Sequence, residues 1–306
     1  MNKSNIQINP IQITTRDGFL LAASEYLPQQ ENGVALLISP AMGIPRSYYH
    51  HFASWLAKQG FVVMSYDYRG MGDSKNIESN LAQRKSLRLT DFGEQDLRAG
   101  LDWLSKQHNQ LRLMTIGHSL GGQILGLADN NGLAEKSLVI ASGSGYWKLY
   151  SPLLRIKMWL VMFGIMPLVT IVRGQFPGKL LGGGDDLPRS IALSWAAWCR
   201  NPHYVSDQRK QPIRTHYNQQ KQMRFIAISD DTDFAPMACV KALQSFYQAE
   251  SSELLLLNPK DYQAGKIGHF GFFRRNMPQK LWKDTADWLL QSALVSKEQV
   301  EAVVSV

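Results

Sequence analysis

Gly117-His118-Ser119-Leu120-Gly121 is where this sequence most plainly offers chemistry. A short apolar run, Leu111–Gly117, leads into it, and an Ala/Leu-rich stretch with Gly122 follows. A serine in a strand–turn–helix bend of the form G-x-S-x-G projects its hydroxyl from a strained turn, and the glycines let neighbouring backbone pass close. The N–H of Leu120 then lies at a helix start, where it can face a developing oxyanion. A serine hydroxyl needs a base to attack. His203, His216 and His269 are the histidines that follow Ser119. His269 is preferred, because it lies in a Gly-flanked loop, Gly268-His269-Phe270-Gly271, beyond the last expected strand. An acid that orients the imidazole is expected between them in the chain. The loop Ser229-Asp230-Asp231-Thr232-Asp233-Phe234-Ala235-Pro236 supplies candidates. Spacing from the preceding strand favours Asp231, and Asp233 stays open.

These residues need a scaffold, and the alternation of short apolar runs with helical patterns predicts one: a mostly parallel sheet covered on both faces. Residues 8–15 and 19–27 flank Arg16-Asp17-Gly18 and read as a hairpin. A buried strand is expected at 33–39, and further strands at 61–68, 111–117, 137–143, 223–229 and 253–258. Helices are expected at 48–59, from Asp91 onward, at Leu120–Ala128, and near 236–249 and 278–293. Asp91 and Glu94 have capping-box spacing, and Leu97, Leu101 and Leu104 recur at helical period. The rhythm breaks between about 146 and 215, which holds Trp147, Trp159, Trp195, Trp198 and the run Met158–Val172. That run, with Gly164 and Pro167 inside it, is short of the ~20 residues of a transmembrane helix. The organisation expected is a core domain of residues 1–145 and 216–306 with a helical cap at 146–215, an apolar lid over the site.

Composition narrows the function classes. With 44% apolar residues and 19% charged, the chain can bury a large core, which excludes a disordered protein. Cys199 and Cys239 make no disulfide framework or zinc spacing and read as small buried hydrophobes. The opening residues show no apolar signal region, so a reducing cytoplasm is the expected compartment. The net charge of +8 comes with small basic groups at Arg84/Lys85/Arg88, Arg209/Lys210 and Arg274/Arg275. Without a nucleic-acid motif these read as solvated surface, and no nucleic-acid partner is expected.

Beyond the elbow, Tyr66-Asp67-Tyr68-Arg69-Gly70-Met71-Gly72-Asp73-Ser74, the DDTDFAP loop and GHFGFF complete a pattern spanning residues ~34 to 273. In these pieces the chain resembles α/β-hydrolase fold proteins of the broad lipase/esterase and serine aminopeptidase-like group, among bacterial hydrolases. The resemblance implies an α/β-hydrolase fold, a Ser119–Asp231–His269 triad and an oxyanion loop after the first long parallel strand. Where relatives carry His-Gly, this chain reads Ser39-Pro40-Ala41-Met42-Gly43. By position Ala41 supplies the second N–H, with Met42 next in line, since Pro40 has none to give. In the DYRGMGDS segment Asp73 is expected to fix the loop. His118 is expected to pack away from the active face.

The expected activity is therefore a serine hydrolase acting by acyl transfer on a small carboxylic ester with a lipophilic group, amides and short peptides ranking behind. No metal or organic cofactor is implied. The alternative is a non-catalytic binding or scaffold protein, or one resting on a membrane surface through residues 147–173, a contact that is not expected.

Overall fold

The computed structural model describes residues 5–78 and 87–291. Its opening hairpin pairs β1 (Gln7–Thr14) with β2 (Leu20–Leu27) antiparallel, Ile11 opposite Ala23. Gly18 takes φ 79° in the connecting turn, a conformation glycine adopts without strain. The remaining long strands are β3 (Val34–Ser39), β4 (Val62–Tyr66), β5 (Arg112–His118), β6 (Lys136–Ile140), β9 (Gln222–Ile228) and β10 (Ser251–Leu257). They form one eight-stranded sheet in the order β1-β2-β4-β3-β5-β6-β9-β10. From β4 to β10 every pairing is parallel. This is the α/β-hydrolase fold.

Alternation along β3 shows how the sheet builds two cores. Leu36 and Ile38 pack on one face with α1 (His50–Lys58) and α9 (Gln279–Leu290). Ala35 and Leu37 pack on the other with α2 (Arg98–Gln107) and α7 (Met237–Gln244). Both faces are covered, so the central strands are apolar throughout rather than alternating.

Three local expectations change. The helix from Asp91 opens as a wide π-turn, Phe92–Leu97, before α2. Asp91 makes no cap there; its carboxylate accepts from the N–H and guanidinium of Arg88. The helix expected over Leu120–Ala128 is a single turn, α3 (Leu120–Gln123), followed by a 3-10 turn. Tyr217 packs directly on this turn: a Cβ at Gly126 would lie 2.3 Å from its ring. The strand expected at 137–143 ends at Ile140, where Ala141 turns to φ 48°.

Between β6 and β9 lie α4 (Pro152–Leu160), a π-turn (Val161–Ile165), α5 (Met166–Arg173), the two-residue strands β7 (Gln175–Phe176) and β8 (Leu187–Pro188), and α6 (Arg189–Arg200). The stretch Pro152–Arg173 is one continuous helix of 22 residues, long and apolar enough by composition to cross a membrane. The run is thus longer than its sequence suggests. Neither Gly164 nor Pro167 ends the helix, because the π-turn just before Pro167 absorbs its missing N–H: Met166 bonds back five residues to Val161.

Candidate active site

β5 ends at His118, and the chain reverses through Ser119 at φ 52°, ψ −111° into α3. The surrounding chain packs closely on this bend. A Cβ at Gly117 would stand 2.5 Å from the Gly122 nitrogen, and one at Gly121 would stand 2.2 Å from the Ser39 carbonyl oxygen. At Gly122 it would meet Val139 at 2.5 Å. The three glycines let the elbow lie flat against β3 and β6, while the Ser119 N–H donates to the Ile140 carbonyl at 3.0 Å. Positive φ at a serine costs of order 1–3 kcal/mol, which the surrounding packing must hold.

His269 stands in the short helix α8 (Gly268–Gly271), and its Nε2 lies 2.9 Å from the Ser119 Oγ. Its Nδ1 lies 2.7 Å from Asp231 Oδ2. A carboxylate only accepts, so Nδ1 carries the proton and the lone pair of Nε2 faces the serine hydroxyl. The second Asp231 oxygen accepts from the N–H groups of Phe234 and Ala235, which fixes the carboxylate in the loop after β9. Asp231 and His269 are both buried. Asp233 is turned outward, bonded to Thr232 and 3.9 Å from Lys157. Phe234 stacks on the His269 ring at 4.7 Å and Phe270 meets it edge-on at 4.8 Å, holding the imidazole in one orientation. His203 and His216 are not brought to Ser119: His203 is exposed, and His216 bonds Gln219 at the surface.

The third acid of the cluster, Asp230, for which the sequence predicts no role of its own, has a separate task. Asp230 accepts the N–H of Ile267 at 3.0 Å and of Gly268 at 2.8 Å, pinning the start of the His269 loop to the loop after β9. Two adjacent aspartates thus secure one histidine, Asp231 by its ring and Asp230 by its backbone.

The oxyanion loop departs from expectation. The Ala41 N–H donates to the Tyr49 hydroxyl at 2.9 Å and is spent there. Met42 is the next residue, and its N–H has no acceptor among the described residues; neither has that of Leu120. The pair of free donors is therefore Leu120 and Met42. Tyr49 links the loop onward: its hydroxyl meets His118 Nδ1 at 2.7 Å, and His118 Nε2 donates to the His269 carbonyl at 2.9 Å. Burial holds the His118 pKa well below the ordinary imidazole value, so it is neutral, protonated on Nε2 and accepting at Nδ1. Every member of the line Ala41–Tyr49–His118–His269 has its proton assigned. His118 faces away from the site, as expected, but as a hydrogen-bonded strut rather than as packing alone.

In the DYRGMGDS segment the anchoring acid is Asp67 rather than Asp73. Asp67 accepts from the N–H groups of Arg46 and Asp73 and pairs with the Arg46 guanidinium. Gly72 is compulsory beside it, since a Cβ there would strike the Asp67 carboxylate at 2.2 Å. Asp73 is exposed, with only an ion pair to Arg46 at 2.9 Å. Asp185, from the chain between β6 and β9, ties these parts together: its N–H donates to Gly43, and its carboxylate accepts from Gly72 and Lys75. From the same stretch, the Tyr150 hydroxyl donates to the Phe234 carbonyl and the Tyr204 hydroxyl to Gln123 Oε1. A cavity of about 710 Å³ is lined by Gly70, Lys75, Gly174, Asp186 and Arg189 among others; its walls include none of Ser119, Asp231 and His269. Cys199 and Cys239 are buried and free, and burial raises both thiols. Arg209, Lys210, Arg274 and Arg275 are exposed, Arg88 pairs with Asp91 and Glu94, and Arg84 and Lys85 lie outside the described residues. No group of three metal-ligating side chains occurs among the described residues.

Comparison with known proteins places the fold. Residues 31–223 match the family described as serine aminopeptidase, S33, a span that includes Ser119 but ends before Asp231 and His269. No curated protein matches the sequence. Among solved structures the chain is similar to DcsB in complex with its substrate analogue (TM-score 0.62, 15% identity, 92% of this chain and 99% of that one). It is also similar to a hypothetical protein of Pseudomonas aeruginosa (0.61, 15%, 94% of each chain) and to an esterase of Pyrococcus furiosus (0.53, 15%, 93% and 92%). At such identities the likeness is one of fold. The family match covers most of the chain, and with the eight-stranded sheet it identifies the protein as a member of the serine aminopeptidase S33 family of α/β hydrolases, a hydrolase of the serine type.

Proposed function

We propose that the chain hydrolyses carboxylic esters bearing a lipophilic acyl or alkyl group. Ser119 is the nucleophile, His269 the general base and acid, and Asp231 the group that orients it. The observation that carries this reading is the unbroken hydrogen-bonded line from Ser119 Oγ through His269 to Asp231, at 2.9 and 2.7 Å. Ser119 Oγ attacks the ester carbonyl carbon while Nε2 takes its proton. The carbonyl π pair moves to oxygen, and the N–H groups of Leu120 and Met42 receive that oxyanion. Its collapse expels the alcohol, protonated by His269, and leaves an acyl-serine. Water, deprotonated by the same nitrogen, repeats the sequence and releases the acid.

Two features favour a neutral, apolar ester over an aminoacyl substrate. Phe234 and Phe270 wall the imidazole, and Phe234 is part-exposed beside it. The nearby carboxylates are engaged: Asp230 by two backbone N–H groups, Asp231 by His269, and Asp233 by Thr232 and Lys157. Asp233 is turned to solvent, and neither of the two carboxylates held at the triad is free to receive an α-amine. The test is a panel of p-nitrophenyl esters of rising acyl length beside aminoacyl p-nitroanilides. Faster turnover of esters, with kcat/KM rising from acetate to longer acyl chains, supports the reading. Faster turnover of the anilides would overturn ester specificity, and an acetate optimum would overturn the lipophilic pocket.

A further inference from the structure

The helix Pro152–Arg173 is apolar on nearly every side yet buries only a seam. Met162, Met166 and Thr170, four residues apart, face the protein, with Met158 and Val169 half-buried beside them. The opposite side shows Leu153 at 81% exposure, Ile156 at 60%, Leu168 at 65% and Val172 at 76%, with Trp159 and Ile171 also exposed. An apolar helix in water belongs in a core or in lipid, and this one is in neither. The charges along this stretch of chain are of one sign, and the exposed acid recorded beside them is Asp233, 3.9 Å from Lys157. Lys148, Arg155, Lys157, Arg173 and Lys179 are all exposed, and no Asp or Glu occurs from Lys136 to Gly184.

We propose that this face of the cap docks on an anionic lipid bilayer, with the helix lying in the plane of the interface and its basic neighbours on the headgroups. Charge decides between occupants. A second copy related by two-fold symmetry would set the same five cations against its own five, whereas an anionic surface attracts each of them. The seam packed on the protein keeps the helix part of the cap, so it rests on the membrane rather than crossing it. The proposal is independent of the hydrolase reading, because none of its readouts is activity.

The experiment is sedimentation of the whole chain with vesicles of phosphatidylcholine alone and of phosphatidylcholine with phosphatidylglycerol in equal parts. Binding to the mixed vesicles is expected to exceed that to the neutral ones by about tenfold or more, and to fall in molar salt. Leu168→Glu with Val172→Glu, two solvent-facing positions, should abolish it; Leu133→Glu, at an exposed leucine outside the cap, should not. Quenching of wild-type tryptophan fluorescence by bromine-labelled acyl chains gives a readout that needs no variant. Equal or absent binding to the two vesicle types, no quenching, or an unaffected double variant would overturn the proposal. So would retention on the membrane in alkaline carbonate, which marks a spanning helix, or a concentration-dependent dimer that the double variant abolishes.

Discussion

Asp231 and Asp233 are two residues apart and chemically identical, so their difference is the sharpest test at the scale of single residues. Asp231→Asn leaves the shape of the loop but puts a donor against His269 Nδ1, which favours the wrong tautomer; kcat for ester hydrolysis should fall by roughly 10³–10⁴. Asp233→Asn, at a solvent-facing carboxylate, should leave kcat within about twofold, as expected for a surface substitution. Comparable losses in both would mean that the imidazole takes its orientation from elsewhere. Gly121→Ala tests the elbow itself. Its methyl carbon would have to occupy space 2.2 Å from the Ser39 carbonyl, and backbone there cannot move without shifting β3. A loss of about 1–3 kcal/mol by chemical denaturation is expected, together with loss of turnover. The glycines and serine of the elbow were legible in the sequence because close contact, with backbone at Gly117 and Gly121 and with the Val139 side chain at Gly122, leaves no room for a Cβ. The oxyanion donor was not: nothing near Ala41 in the sequence says that a tyrosine hydroxyl eight residues on consumes its N–H.

Between elements, the site is held in part by an acid for which the sequence predicts no separate role. Asp230 binds two backbone N–H groups of the His269 loop, so Asp230→Ala should lower kcat about tenfold or more while changing KM little. A change confined to KM would assign that loop to binding instead. Tyr49→Phe removes a hydroxyl that satisfies both the Ala41 N–H and His118 Nδ1. The two buried groups left unpaired should cost about 1–3 kcal/mol in thermal or urea unfolding. The strands were readable because buried parallel strands are short, continuous apolar runs between turn signals. Direction was not. Hydrophobicity marks the run Met158–Val172 without saying which side of the helix meets protein, and an inward lid and an outward face have the same composition.

At the scale of the whole molecule, burial of neutral His118 couples stability to pH. Its pKa is depressed in the folded state, so below the ordinary imidazole value of 6.5 the unfolded chain binds the extra proton. Stability from this group is present above that pH and declines as pH falls below it, by up to about 1.4 kcal/mol per unit until the folded-state pKa is reached. His118→Gln, which cannot ionise, should flatten the dependence of unfolding free energy on pH between 6.5 and 5 relative to wild type. An unchanged slope would place the coupling on other groups.

The central claim is that the Ser119 hydroxyl is activated by His269, and covalent capture reads it most directly. A fluorophosphonate probe forms a bond only with an activated nucleophile, and digestion with mass mapping locates it. One equivalent of adduct is expected on the peptide containing Ser119, absent in Ser119→Ala and strongly slowed in His269→Ala. No adduct on the folded protein, or an adduct on any other residue, would contradict it.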